Sequence, residues 1–177
     1  MSGPGASVSP HHRHRAEGPQ RLGVAILTVS DTRSAATDLS GDLMEELARA
    51  AGHHVHRRDL VPDDPAPLAA CLTAAAADPG VDLILVNGGT GLAPRDRSVE
   101  TVQKHLHRCL PGFGELFRAL SFQEIGSAAM ASRALAGVIG TTLIFCTPGS
   151  PAAVRLAMEK LILPEASHLV GQLRQDG

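Results

Sequence analysis

The 177-residue chain is 44% apolar and 19% charged, with a formal net charge of −2. This is a globular composition of a length that suits one domain with a real core, and it excludes a disordered chain. The near-neutral charge excludes a general nucleic-acid binder, which needs a basic stripe, and no apolar run reaches the ~18 residues of a membrane span.

Residues 1–20 are rich in Gly, Pro, Ser and His and show no periodicity, so they are expected to form a flexible tail. His11, His12 and His14 offer adventitious metal ligands there. The tail has no apolar h-region, so a secretory signal is not expected, and with no membrane span the expected location is the cytoplasm. Residues 21–177 are expected to form a single domain. Gly23 to Val29 is an apolar, β-branched run and reads as the first strand. Ser30 to Ser34 follows as a polar loop. Ser40 is expected to cap a helix over Gly41 to Ala51, and Gly52 to stop it. His53 to Val61 reads as a second strand, ended by Pro62-Asp63-Asp64-Pro65. Ala66 to Ala77 is an Ala-rich helix, and Asp82 to Val86 a third strand.

Strand and helix alternating at this spacing imply right-handed βαβ units and a mostly parallel sheet. After Gly88-Gly89-Thr90-Gly91, Ser98 is expected to cap a helix running to about His107. Pro111 to Ile125 reads as another helix. Arg133 to Ile139 and Thr142 to Cys146 read as strands joined by a Gly140-Thr141 hairpin turn. Ser150-Pro151 starts a helix to about Leu163, and Pro164 opens the last one. Phe113, Phe117 and Leu120 recur at i, i+4, i+7; this apolar face either anchors a subunit contact or packs on the chain's own sheet.

The apolar run Leu83 to Val86 stops at Asn87 and a Gly-Gly-Thr-Gly loop. Bare N–H groups in such a turn can cradle an anion, and strand ends are where α/β sheets bind ligands. Ser30 to Ser34 and Pro62 to Pro65 lie on the same edge, and Thr147 to Pro151 is a further candidate. These loops share hydroxyls, glycines and carboxylates, with Arg33 and Arg95 as cations. A magnesium ion prefers one or two carboxylates plus substrate phosphates, and Asp63 and Asp96 fit that need. Plainer roles stay open. Asp63 suits a turn, Asp96 a salt bridge to Arg95 or a helix cap, and Gly88 to Gly91 a sharp turn. Ser132-Arg133 suits a strand start and Ser150 a cap. No GxxxxGK phosphate loop, GxGxxG, helical zinc His pair or GxSxG elbow is present. Cys71, Cys109 and Cys146 lack CxxC spacing and are expected to be reduced, mostly packed thiols.

Several segments together resemble the MoaB/Mog family of molybdenum cofactor biosynthesis proteins, the molybdopterin adenylyltransferase type. They are Leu27 to Arg33, Asp38 to Gly41, Val61 to Asp64, Gly88 to Gly91, Pro94 to Asp96, Pro111 to Glu115, Met130 to Arg133 and Thr147 to Pro151. Phe113 to Ser121 resembles the short MoaB-like branch. The resemblance implies a three-layer α/β/α fold, and a homotrimer or a hexamer of trimers. It also implies Mg-ATP-dependent adenylylation of molybdopterin with release of pyrophosphate, and dealings with other enzymes of the pathway. By motif match, Asp63 and Asp96 are catalytic and hold Mg2+, and Gly88, Gly89, Thr90 and Gly91 line the nucleotide site. Ser30, Asp31, Ser132, Arg133 and Ser150 fall on segments that line the substrate site. The chain departs from the family in reading Arg97-Ser98-Val99 where Val-Thr-Pro is usual, and Asn87 where Thr is commoner. The branch also contains proteins that bind the pterin without catalysis, which leaves a non-catalytic binding or scaffolding role as the alternative.

Overall fold

The computed structural model describes residues 18–175. Seven β-branched or apolar-rich residues form β1 (Gly23–Val29), followed by α1 (Leu39–Ala50), β2 (His54–Val61), α2 (Pro65–Ala77) and β3 (Leu83–Asn87). Then come α3 (Ser98–His105), β4 (Arg108–Cys109), α4 (Pro111–Ile125), β5 (Leu135–Ile139), β6 (Thr142–Thr147), α5 (Pro151–Ala157) and α6 (Leu163–Gln175). The strands make one six-stranded sheet in the order β2-β1-β3-β6-β5-β4. β2, β1, β3 and β6 are parallel, whereas β5 and β4 are antiparallel to their neighbours.

Alternation along the buried strands sorts their side chains onto two faces. Val24, Ile26, Leu83, Leu85 and Phe145 pack with Leu43 and Met44 of α1, Phe113 and Phe117 of α4, and α5 and α6. Ala25, Leu27, Ile84, Val86, Ile144 and Cys146 pack with Leu68 and Leu72 of α2 and Val102 of α3. The result is a three-layer α/β/α sandwich. With so few aromatics, Phe113 stands out, packing edge-on against Phe145 with ring centroids 4.8 Å apart.

Some expectations change. The side chain that caps α1 is Asp38, which accepts from Gly41 N–H; Ser40 is buried inside the helix and donates to Gly149 O at 2.7 Å. Ser98 does not cap α3, whose N-cap residue is Arg97, with no side-chain cap bond. The helix stops at His105, making room for the two-residue edge strand β4. The helices on either side of Pro164 form one continuous run, joined by a π-turn over Met158–Ile162. Proline has no N–H and crowds the carbonyl four residues back, so Leu163 N–H reaches Met158 O instead.

Phe113 and Phe117 are 5% and 1% exposed, so that face packs on the chain's own sheet. Leu116, Phe122 and Ile125 are the exposed apolar residues of α4. Of the expected tail, Gly18 lies against the backbone of Ser167 and Gly171 in α6. Residues 1–17, with His11, His12 and His14, lie outside the described residues. Cys71 is half-buried, Cys109 exposed and Cys146 buried, and none is in a disulfide. Among the described residues no helix is long and apolar enough to cross a membrane.

Candidate functional site

Four parallel strands bring their carboxyl ends to one edge. β1 leads to β2 on one side while β3 lies on the other, so the crevice between β1 and β3 is the topological switch point. A cleft of about 300 Å³ opens there. Its walls are Ser30, Asp31, Thr32 and Arg33 after β1, Asp63 after β2, Gly88 to Gly91, Arg95 and Asp96 after β3, and Gly149 after β6.

The glycine loop needs its glycines. Gly88 has φ +94°, and a Cβ there would stand 2.2 Å from Val29 O. Gly89 has φ +60°, and its Cβ would stand 2.2 Å from Ser98 Oγ and 2.8 Å from Asp63 Oδ1. A side chain would therefore collide with the wall of the cleft as well as strain the backbone. Behind the loop, Arg133 donates from Nε to Thr90 O at 3.0 Å and from Nη2 to Gly91 O and Asp96 O, each at 2.7 Å. Its Nη1 pairs with Glu100. Arg133 thus clamps the loop's carbonyls from outside and is not in the cleft wall.

The carboxylates differ in what their surroundings do to them. Asp64, not Asp63, caps α2, accepting from Ala66 N–H at 2.9 Å with Pro65 in the first turn. Asp63 is left at the cleft, its N–H bonded to Asp31 Oδ1 at 2.9 Å. Burial raises the pKa of Asp63, the charges of Asp96 and Asp31 raise it further, and Arg95 opposes them. Asp96 Oδ2 accepts from Ala93 N–H at 3.1 Å, which folds its loop back on itself. No ion pair joins Arg95 to Asp96 among the described residues. Nor does any group of three His, Cys, Asp or Glu among them suffice to hold a metal ion. Asp63 and Asp96 are the cleft carboxylates that could hold a magnesium ion together with phosphates, since that ion does not need a complete protein cage.

A buried polar network supports the β1 side. Asn87 Nδ2 donates to Thr28 Oγ1 at 2.9 Å, which donates to Asp38 Oδ2 at 2.8 Å. Arg58 Nη2 adds an ion pair to Asp38 at 2.9 Å. Burial alone would raise the Asp38 pKa, but hydrogen bonds from Gly41, Thr28 and Arg58 together hold it below the ordinary carboxylate value. By contrast, Cys146 is pushed up to about 12 by burial, which removes it as a nucleophile.

The family described as "Probable molybdopterin binding domain" matches residues 25–168. The chain belongs to that family. Among relatives of this molybdopterin-binding-domain protein is "Molybdenum cofactor biosynthesis protein B" of Bacillus subtilis (strain 168). It is 48% identical over 164 residues, covering 92% of this chain and 96% of the relative. The crystal structure of a molybdenum cofactor biosynthesis protein B superposes with a TM-score of 0.87 at 46% identity, covering 89% of this chain and 98% of that one. The tungsten cofactor synthesizing protein MoaB from Pyrococcus furiosus gives 0.79 at 34% identity, covering 88% and 99%.

Of the residues singled out in this family member's sequence, Ser30, Asp31, Asp63, Gly88, Gly89, Thr90, Gly91 and Asp96 meet at the one cleft. Ser132, Arg133 and Ser150 are not in its wall. Ser150 Oγ accepts from Ala153 N–H at 3.2 Å and caps α5. Ser132 ends the 3₁₀ turn Gly126–Ala131, its N–H bonded to Ala129 O. Thr32 and Gly149 line the cleft without having been assigned a role, and so do Arg33 and Arg95, named before only as cations of the loops. Their signal was positional: each sits on a loop that follows a parallel strand, β1 for Thr32 and Arg33, β3 for Arg95 and β6 for Gly149.

Proposed function

We propose that the chain transfers the adenylyl group of Mg-ATP to the terminal phosphate of molybdopterin, releasing pyrophosphate, as a step of molybdenum cofactor biosynthesis. The observation that carries this reading is the cleft itself: the loop Gly88 to Gly91 facing Asp63 and Asp96, with Asp63 crowded by the charges of Asp96 and Asp31. A molybdopterin phosphate oxygen attacks the α-phosphorus of ATP. A new P–O bond forms, and the bond to the β-phosphate oxygen breaks with its electrons leaving on pyrophosphate. Catalysis of that kind rests on positioning and charge neutralisation rather than on a covalent intermediate. Amides of Gly89 to Gly91 bind phosphate oxygens, the Gly88 N–H being taken by Thr147 O at 3.2 Å, and Arg95 neutralises charge at the cleft mouth. Asp63 and Asp96 would hold Mg2+, which when bound polarises phosphate oxygens and offsets their charge. Asp31 fixes the Asp63 loop through its bond to the Asp63 N–H, and Ser30 Oγ shapes its own turn by accepting from Arg33 N–H at 3.2 Å.

The test is molybdopterin-dependent release of pyrophosphate from Mg-ATP by the purified chain. Release is the expected result. Molybdopterin binding without release would assign the chain to a non-catalytic binding or scaffolding role instead. We extend the reading to a cytoplasmic homotrimer or hexamer, in keeping with three free cysteines and the MoaB-like resemblance. Light scattering at micromolar concentration checks the assembly, and a monomer would overturn it.

A further inference from the structure

Besides Arg95, two arginines serve the cleft loops, and their hydrogen bonds separate their roles. Arg133 uses Nε, Nη1 and Nη2 on protein acceptors, as described above. Arg33 stands in the cleft wall with its side chain 27% exposed. Its Nη1 donates to Asn87 Oδ1 at 3.3 Å and to Asp38 Oδ1 at 3.5 Å, and its Nη2 to Gly149 O at 2.6 Å. A guanidinium carries five N–H donors. Its Nε–H and one Nη2 hydrogen therefore have no protein acceptor among the described residues.

The partners of Arg33 are also served by others. Asp38 is already neutralised by Arg58 at 2.9 Å and accepts from Gly41 N–H and Thr28 Oγ1. Gly149 O already accepts from Ser40 Oγ at 2.7 Å. Only Asn87 Oδ1 depends on Arg33, and the Asn87 amide is itself fixed to Thr28. The Arg33 charge is thus rigidly held, yet surplus to the structure, at the edge of a cleft bordered by three carboxylates. Rigid, partly desolvated guanidinium groups with free donors suit phosphate oxygens.

We propose that Arg33 is a phosphate-binding residue of the cleft. This rests on the reading that the cleft takes phosphate ligands. The phosphate is either one of the nucleotide's or the terminal phosphate of the pterin, and the test separates them. Wild type, Arg33→Gln and Arg33→Lys are titrated calorimetrically with Mg-ATP and, separately, with molybdopterin, alongside thermal melts. Arg33→Gln should weaken binding of one ligand about tenfold or more while its Tm stays within about 4 °C of wild type. The ligand affected identifies the phosphate. Arg33→Lys, which keeps the charge and loses the planar fork, should fall between. Unchanged affinity for both ligands overturns the proposal. A larger fall in Tm does so too, because it would make Arg33 a strut like Arg133. Wild type that binds neither ligand overturns the reading of the cleft, and the arginine assignment with it.

Discussion

Asp38 and Asp63 both sit where loops leave the carboxyl edge of the sheet, and their surroundings treat them oppositely. Asp38 is 2% exposed, yet Gly41, Thr28 and Arg58 satisfy it, and its pKa falls below the ordinary value. Asp63 is half-buried beside Asp96 and Asp31, and its pKa rises. A carboxylate matched inside the protein contributes to folding. One left with like charges at a strand edge favours a ligand that brings positive charge, and perturbed groups in clefts mark functional sites for that reason. The buried network around Asp38 beneath the β1 loop is therefore the frame, and the cleft wall, where Asp63 and Asp96 meet, is the working surface.

The largest effect expected from this division is on turnover. Asp63→Asn or Asp96→Asn should lower molybdopterin-dependent pyrophosphate release at least about a hundredfold, since each removes a carboxylate proposed to position the metal. The fold should persist, and Asp63→Asn should hold or raise Tm, because it removes a repelled charge. Near-normal turnover in both variants would show that the chemistry lies elsewhere.

Asp38→Asn should do the reverse. It breaks the charge-assisted hydrogen bonds from Gly41, Thr28 and Arg58, although Arg58 keeps Asp42 and Glu45, and should cost about 2 kcal/mol, a fall of roughly 4–8 °C in Tm. The acid limbs of the stability curve should separate the two groups as well. The folded pKa of Asp38 is depressed, so its contribution is complete above the unfolded value near pH 4 and is lost as pH falls through the folded pKa. The folded pKa of Asp63 is raised, so its unfavourable contribution is present above that pKa and disappears as pH falls to about 4. Urea melts across this range should show a flatter acid limb for Asp38→Asn than for wild type. Coincident limbs would mean that Asp38 is not held ionised by its neighbours.

Much of this frame was legible in the sequence because it depends on local pattern. Leu83 to Val86 is buried on both faces, so it reads as a continuous apolar run, and the glycines after it mark the strand end. Gly140-Thr141 marked the hairpin for the same reason. What stayed hidden depends on contacts across the fold. Asp38 and Ser40 are both good capping residues two positions apart, and only the contact between Ser40 Oγ and Gly149 O decides between them. Arg33 and Arg133 are equivalent in composition, and only the geometry shows that one clamps a loop while the other keeps free donors. β4 has two residues and no pattern to read. Pro164 was expected to begin a new helix, but a helix can absorb a proline through a π-turn, which leaves no signature in the sequence.

The smallest effect concerns a polar group on the working side. Ser98 is 1% exposed, and its Oγ is buried without a hydrogen-bond partner among the described residues. It stands next to Gly89, on the same side as Asp63 Oδ1. A buried hydroxyl that makes no bond costs stability relative to a methyl group of similar size. The N–H of Ser98 is already bonded to Gly89 O at 3.0 Å, and the side chain does not cap its helix, so Ala should lose nothing from the backbone. Ser98→Ala should therefore raise stability by about 1 kcal/mol, or roughly 2–4 °C in Tm. On the frame side, Thr28→Ala removes a hydroxyl that bonds both Asn87 and Asp38 and should lower Tm. Opposite signs for two buried hydroxyls beneath one cleft would confirm that its two sides are built on different terms. A fall in Tm for Ser98→Ala would instead mean that its hydroxyl is satisfied in solution, and that the working side is as fully bonded as the frame.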